Sequence, residues 1–150
     1  MYSIIDKRII AFIHEHHVLT LATCVNGIPY CAHLFYVYLD AENVFVVTSS
    51  ASTRHIGEAL HSHTVAGAVA LETATVGLIR GLQWQGALLL PDKDLKRKAR
   101  RAYLRRFPFA VLKGSPLWAL RPTFFKYTDN RLGFGKKIII TLPSNENQPL

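Results

Sequence analysis

Five hydroxyls fall within six residues, Thr48, Ser49, Ser50, Ser52 and Thr53, and Arg54 and His55 follow at once. The flanks give this run its meaning. Asn43 to Val47 is β-branched and aromatic and reads as a strand, while Ile56 to Leu60 reads as the first turns of a helix. A strand-to-helix turn leaves backbone N–H groups free at the positive end of a helix dipole, a place that suits a phosphate. Thr48, Ser49, Ser52 and Thr53 would add hydroxyl donors, and Arg54 a fixed, fork-shaped charge. The other reading is that these hydroxyls simply cap the helix and satisfy the turn. The stretch has no glycine cluster, so it is neither a P-loop nor a dinucleotide fingerprint.

The seven histidines offer a second kind of chemistry. His14, His16 and His17 lie at the end of one predicted helix, and His61 and His63 after another, yet none has the i, i+4 spacing of a helical metal pair. No metal site is expected. No Ser-His-Asp set or paired carboxylates stand out either, so any redox chemistry would come from a cofactor.

The elements that must position these residues can be read from pattern. Ser3 and Asp6 suggest a capping box for a helix to about His16, with Ile4, Ile5, Ile9, Ile10 and Ile13 toward the core. Val18 to Leu39 carries no charge over a length that could span a bilayer. Asn26-Gly27 at its middle marks instead a type I′ hairpin between Val18–Val25 and Pro29–Leu39, so no membrane segment is expected. That register puts Cys24 opposite Pro29 and Cys31 opposite Ala22, a diagonal roughly 7–8 Å apart and beyond easy disulfide reach. Two free thiols suit a reducing compartment.

A third strand, Val44 to Thr48, is followed by the hydroxyl turn and a short helix to about Ser62. Val65–Leu71 and Val76–Leu90 read as strands, as do Trp118–Tyr127 and Leu132–Leu142 around a turn at Thr128–Asn130. Phe107 to Pro116 is ambiguous. Seven strands in mostly meander order with three peripheral helices predict a mainly β, α+β fold, a small antiparallel barrel that closes to remove its edges.

The net charge of +8 sits almost wholly between Lys93 and Arg106, where eight cations face Asp94 alone. Leu95, Ala99, Ala102 and Tyr103 recur there at helical spacing. Residues 92–107 therefore predict an amphipathic basic helix, read as a solvated face in preference to a polyanion or nucleic-acid site. Charged residues near the N-terminus interrupt any signal-peptide core, which points to the cytoplasm. One domain over 1–142 and a flexible tail over 143–150 complete the expectation.

With these residues in place, the chain resembles the FMN-binding split barrels typified by pyridoxamine 5′-phosphate oxidase. The likeness lies in Gly27-Ile28-Pro29-Tyr30, the Leu34-Phe35-Tyr36 strand and the hydroxyl turn with its basic residue. Ile79-Arg80-Gly81-Leu82-Gln83, Arg105-Arg106-Phe107-Pro108, Lys126 to Asn130 and Leu132 to Lys137 resemble the YhbP-like branch of that superfamily. The resemblance implies a homodimer with FMN in clefts lined by both chains. It implies a phosphate held by Thr48 or Ser49, with Ser52, Thr53 and Arg54, and a flavin ring along the backbone of His33, Leu34, Phe35 and Tyr36. His33 and His55 would stand next to the flavin, and Gln83 is carried over from the long strand. Where the oxidase has an arginine and an arginine–lysine pair, this chain has His33, and Thr53 with Arg54; the oxidase's C-terminal tryptophan and arginine have no clear counterpart. The function implied is an FMN-binding oxidoreductase of unknown substrate. The alternatives are a non-enzymatic binder of flavin, haem (through His55 or His63) or another small ligand, or a polyanion binder acting through the basic helix.

Overall fold

The computed structural model describes residues 5–112 and 114–144. The chain runs through helix α1 (Lys7–Glu15), strands β1 (Val18–Val25), β2 (Ile28–Leu39) and β3 (Val44–Thr48), helix α2 (Arg54–His61), strands β4 (Thr64–Ala70) and β5 (Arg80–Leu89), helix α3 (Lys93–Arg106), and strands β6 (Leu117–Asp129) and β7 (Lys137–Thr141). Short 3₁₀ turns occupy Val76–Leu78, Pro108–Leu112 and Asn130–Leu132. All strand pairs are antiparallel, in the order β3-β2-β1-β4-β5-β6-β7, and a further β3–β6 pairing closes the sheet on itself. The fold is a small split β-barrel with three helices.

The first hairpin forms because Asn26 and Gly27 both take positive φ, 53° and 76°, as the tight turn demands. Cys24 then faces Pro29 and Cys31 faces Ala22, and both thiols are free and exposed. Inside the barrel Leu19, Leu21, Tyr36, Phe45, Leu82, Trp84, Phe125 and Tyr127 pack with Ile9, Phe12 and Ile13 of α1. Trp84 fits only because β4 offers Gly67 opposite it; a Cβ there would stand 2.3 Å from the indole ring. A second core lies on the outer face, where Leu95, Ala99 and Tyr103 of α3 cover Val37, Val44, Val46 and Ala119. Among the described residues no helix is long and apolar enough to cross a membrane.

Several boundaries differ from the sequence expectation. Asp6 caps α1, its carboxylate accepting from the Arg8 N–H at 2.8 Å, while Ser3 and Ile4 lie outside the described residues. Val76–Leu90 is not one strand: Val76–Leu78 coils as a 3₁₀ turn, and β5 starts at Arg80. Likewise β7 starts only at Lys137, because Gly133 and Gly135 take φ of 134° and 69° and cannot extend the strand. β6 in turn runs through to Asp129, past the turn expected at Thr128. Of the tail expected to be flexible, 145–150 lies outside the described residues.

The short β3 makes the site. It pairs with β2 only at Tyr36–Leu39 and with β6 only at Leu117–Leu120. Below Tyr36, β2 continues to Ile28 paired with β1 alone, so no strand covers its other edge. The barrel is split there.

Candidate functional site: the cleft where the second and third strands part

Phe35 is the first β2 residue past the β3 pairing, and Thr48 is the last of β3. Both line a cleft of about 430 Å³, within the range typical of small-molecule sites. Tyr103, Arg106 and Phe107 from the end of α3, the Pro108–Ala110 turn and Ser115 complete the wall. The Phe35 ring, 55% exposed, stacks on His17 with centroids 5.9 Å apart and leans on Phe107 at 5.4 Å. Phe109 is 83% exposed at the rim. The Arg106 guanidinium lies 5.6 Å from the Phe107 ring and 5.7 Å from that of Tyr36 while donating to the carbonyls of His16 at 2.5 Å and Tyr36 at 3.4 Å. It therefore ties α1 and β2 to α3 at the cleft wall.

The hydroxyl turn continues from Thr48. The Thr48 hydroxyl donates to the carbonyls of Ser115 and Pro116, and the Trp118 indole donates to the Ser49 carbonyl at 2.9 Å, so the turn is pinned to β6 and the segment before it. Ser49 Oγ lies 2.8 Å from His55 Nε2 and 3.2 Å from Thr53 Oγ1. Thr53 occupies the N-cap of α2 without capping it: its hydroxyl donates back to the Ser50 carbonyl at 2.8 Å. The first-turn N–H groups of α2 thus lack the acceptor that simple capping would supply. Ser52 bonds Ser50 at 2.8 Å on the exposed side. Burial lowers the pKa of His55 below the usual imidazole value.

Arg54 is placed differently from the expectation. Its Nε donates to Glu58 at 2.9 Å and its guanidinium lies 4.1 Å above the Tyr30 ring. Glu58 also accepts from the Thr23 hydroxyl, and these hydrogen bonds, Thr23 first, hold its carboxyl below the usual range. Leu34 and Tyr36 send their side chains into the core, and only their backbones remain for a ligand. His33 stands on the outer sheet face, its Nδ1 3.0 Å from the Thr20 hydroxyl. Gln83 shares that face three strands away, beside a second concavity of about 390 Å³ with Ala22, Ala66 and Ala68. One chain therefore brings Phe35 and Thr48 to the cleft and Ser49, Thr53 and His55 to the adjoining turn, while His33, two residues before Phe35, shares its outer face and Gln83 lies on that face three strands away.

Tyr103, Arg106, Phe107, Phe109 and Ser115 were not expected at the site. Their signal was present: an arginine closing a helix just before aromatic residues on either side of Pro108. Elsewhere on α3, Arg97 pairs with Asp94, and Lys98 with Glu42 and Asp94, which neutralises part of the basic run.

No family profile matches the chain. A UPF0306 protein of Yersinia pestis bv. Antiqua (strain Angola) is 39% identical over 127 residues, covering 85% of this chain and 86% of that protein. The chain belongs to the UPF0306 family. Among solved structures, this UPF0306 chain is similar to a haem-binding protein from Mycobacterium smegmatis, with a TM-score of 0.74 and 21% identity over 87% of this chain and 55% of that one. An FAD-binding protein from Mesorhizobium loti matches with a TM-score of 0.66 and 15% identity, over 81% and 91% of the two chains. A putative pyridoxamine 5′-phosphate oxidase from Listeria innocua matches at 0.61 and 12%, over 81% and 95%. At these identities the likeness is one of fold, and the fold shared is the split β-barrel.

Proposed function

We propose that this protein binds FMN where β2 and β3 part and acts as a flavin-dependent oxidoreductase. The observation that carries the reading is the open β2 edge, which ends beside both an aromatic cleft and a hydroxyl-lined helix start. The residues present fit the group. Unpaired backbone N–H and C=O groups on one edge can bond the polar rim of a flat heterocycle, while Phe35 and Phe107 supply apolar faces. Ser49, Thr53 and the first turn of α2 supply donors for a phosphate.

When bound, the flavin would supply hydride or electron transfer with a small substrate. The chain's own part is to hold and orient it. Arg106 keeps β2 and α3 at a fixed separation, and the rings of Phe35, Phe107 and Phe109 shield the cleft from water. Gln83, three strands from the cleft on the outer sheet face, fits as a contribution from a second copy, which makes the working unit a homodimer. We further propose membership of the YhbP-like branch, on the motifs that resemble it, and a cytoplasmic location, on the charged residues near the N-terminus and the two free thiols. Among the described residues no histidine lines the cleft, which favours flavin over haem there.

Titration of purified protein with FMN, followed by flavin fluorescence and absorbance, tests this. Saturable binding in the micromolar range or tighter is expected, with haem giving no sharp Soret band. A Soret complex with no flavin binding would overturn the proposal.

A further inference from the structure

Arg54 has the charge suited to a phosphate, yet it is committed to Glu58 and Tyr30. His55, the next residue, points instead into the hydroxyl cluster, 2.8 Å from Ser49 Oγ and 3.3 Å from Thr53 Oγ1. We propose that His55 is the residue that recognises the phosphate of the bound flavin, and that it takes a proton from solvent as the phosphomonoester binds. This rests on the flavin reading above and goes beyond it, because it makes phosphate recognition depend on a group that changes charge.

Three observations carry the inference. The cluster is fixed before any ligand arrives, since Trp118 holds the Ser49 carbonyl and the Ser49 N–H donates to Pro116. Among the described residues no charged group bonds the imidazole. The turn brings it the hydroxyls of Ser49 and Thr53, and α2's own Arg54 and Glu58 are bonded to each other, with Glu58 also held by Thr23. Burial is the cause that lowers the His55 pKa, so the ring is neutral at pH 7 without ligand.

A phosphomonoester carries about −1.5 to −2 charge at pH 7. Placed beside a neutral, partly buried imidazole, it supplies the missing counter-charge and raises the imidazole pKa. The proton comes from buffer, and the imidazolium can then donate to a phosphate oxygen, with Ser49 and Thr53 turning their hydroxyls to do the same. No other bond is made or broken. By linkage, a ligand that brings one proton with it binds about tenfold more weakly for each pH unit above the relevant pKa.

The test is calorimetry of FMN and riboflavin binding at pH 7.5 in two buffers of different ionisation enthalpy, on wild type and His55→Gln. Wild type should take up a large fraction of a proton per FMN and none per riboflavin. His55→Gln should bind FMN at least tenfold more weakly with no uptake, and riboflavin within about twofold of wild type. Proton uptake that persists in His55→Gln would assign it to the phosphate itself and overturn the proposal. Equal binding of the two flavins by wild type would also overturn it while leaving the flavin site standing. Failure of both flavins to bind would remove the flavin reading instead. The wild-type measurement alone is decisive if the variant does not fold: absence of uptake ends the proposal.

Discussion

Arg54 and His55 are adjacent, yet about 100° of helix rotation separates their side chains, and that rotation decides their chemistry. Residue type alone assigned the phosphate to the arginine. The competing partner was in the sequence as Glu58, four residues on, which is the spacing of a helical ion pair. What the sequence could not show is that Tyr30 and Thr23 stand at the same place to complete the pair's surroundings. Arg54→Ala should therefore weaken FMN by less than about tenfold, below the loss expected for a direct charge-assisted bond. It should also lower the apo melting temperature measurably, because it breaks contacts present without ligand. A larger FMN loss with unchanged melting would return the arginine to the phosphate.

At the level of elements, the hairpin was legible because Asn26-Gly27 permits one tight turn and so fixes one register, down to the Cys24–Pro29 and Ala22–Cys31 pairs. The stretch from Val76 was not legible. Its apolar residues suit strand and turn alike, and the 3₁₀ turn is set by Asn130, whose side chain bonds the Val76 carbonyl at 2.8 Å from far along the chain. Gly86 lies within that long run, and the pairing between β5 and β6 shifts register between Gln85 and Gly86. A Cβ at Gly86 would meet the Arg121 carbonyl oxygen at 2.1 Å and Pro122 Cα at 2.8 Å, both backbone atoms that cannot swing aside. Gly86→Ala should cost at least about 1–3 kcal/mol by thermal or denaturant unfolding. Gly57→Ala, with nothing within 4 Å of the added carbon in the middle of α2, should instead stabilise by about 0.5–1 kcal/mol. Equal effects at the two positions would contradict this account of the bulge.

For the whole molecule, the strand order could be anticipated as a meander, but the closure of β3 on β6 joins segments some seventy residues apart and left no local mark. The cleft is a product of that closure. Its opening follows from β3 being shorter than β2, and its far wall comes from a helix end and a turn whose conformation was ambiguous in sequence. The outer face of β1, β4 and β5 carries Ala22, Ala66 and Ala68 around its shallow concavity and continues to the exposed Ile139, a surface of small and apolar side chains that suits a second copy. Light scattering at micromolar concentration should give twice the monomer mass, and a monomer would remove the route by which Gln83 reaches the flavin. The central claim is the place of the flavin, and a crystal structure of the FMN complex tests it most directly. The account predicts the isoalloxazine along the open β2 edge beside Phe35, with the phosphate against Ser49, Thr53 and His55; a flavin phosphate held elsewhere, whether at Arg100 on α3 or on the alanine face alone, would contradict it.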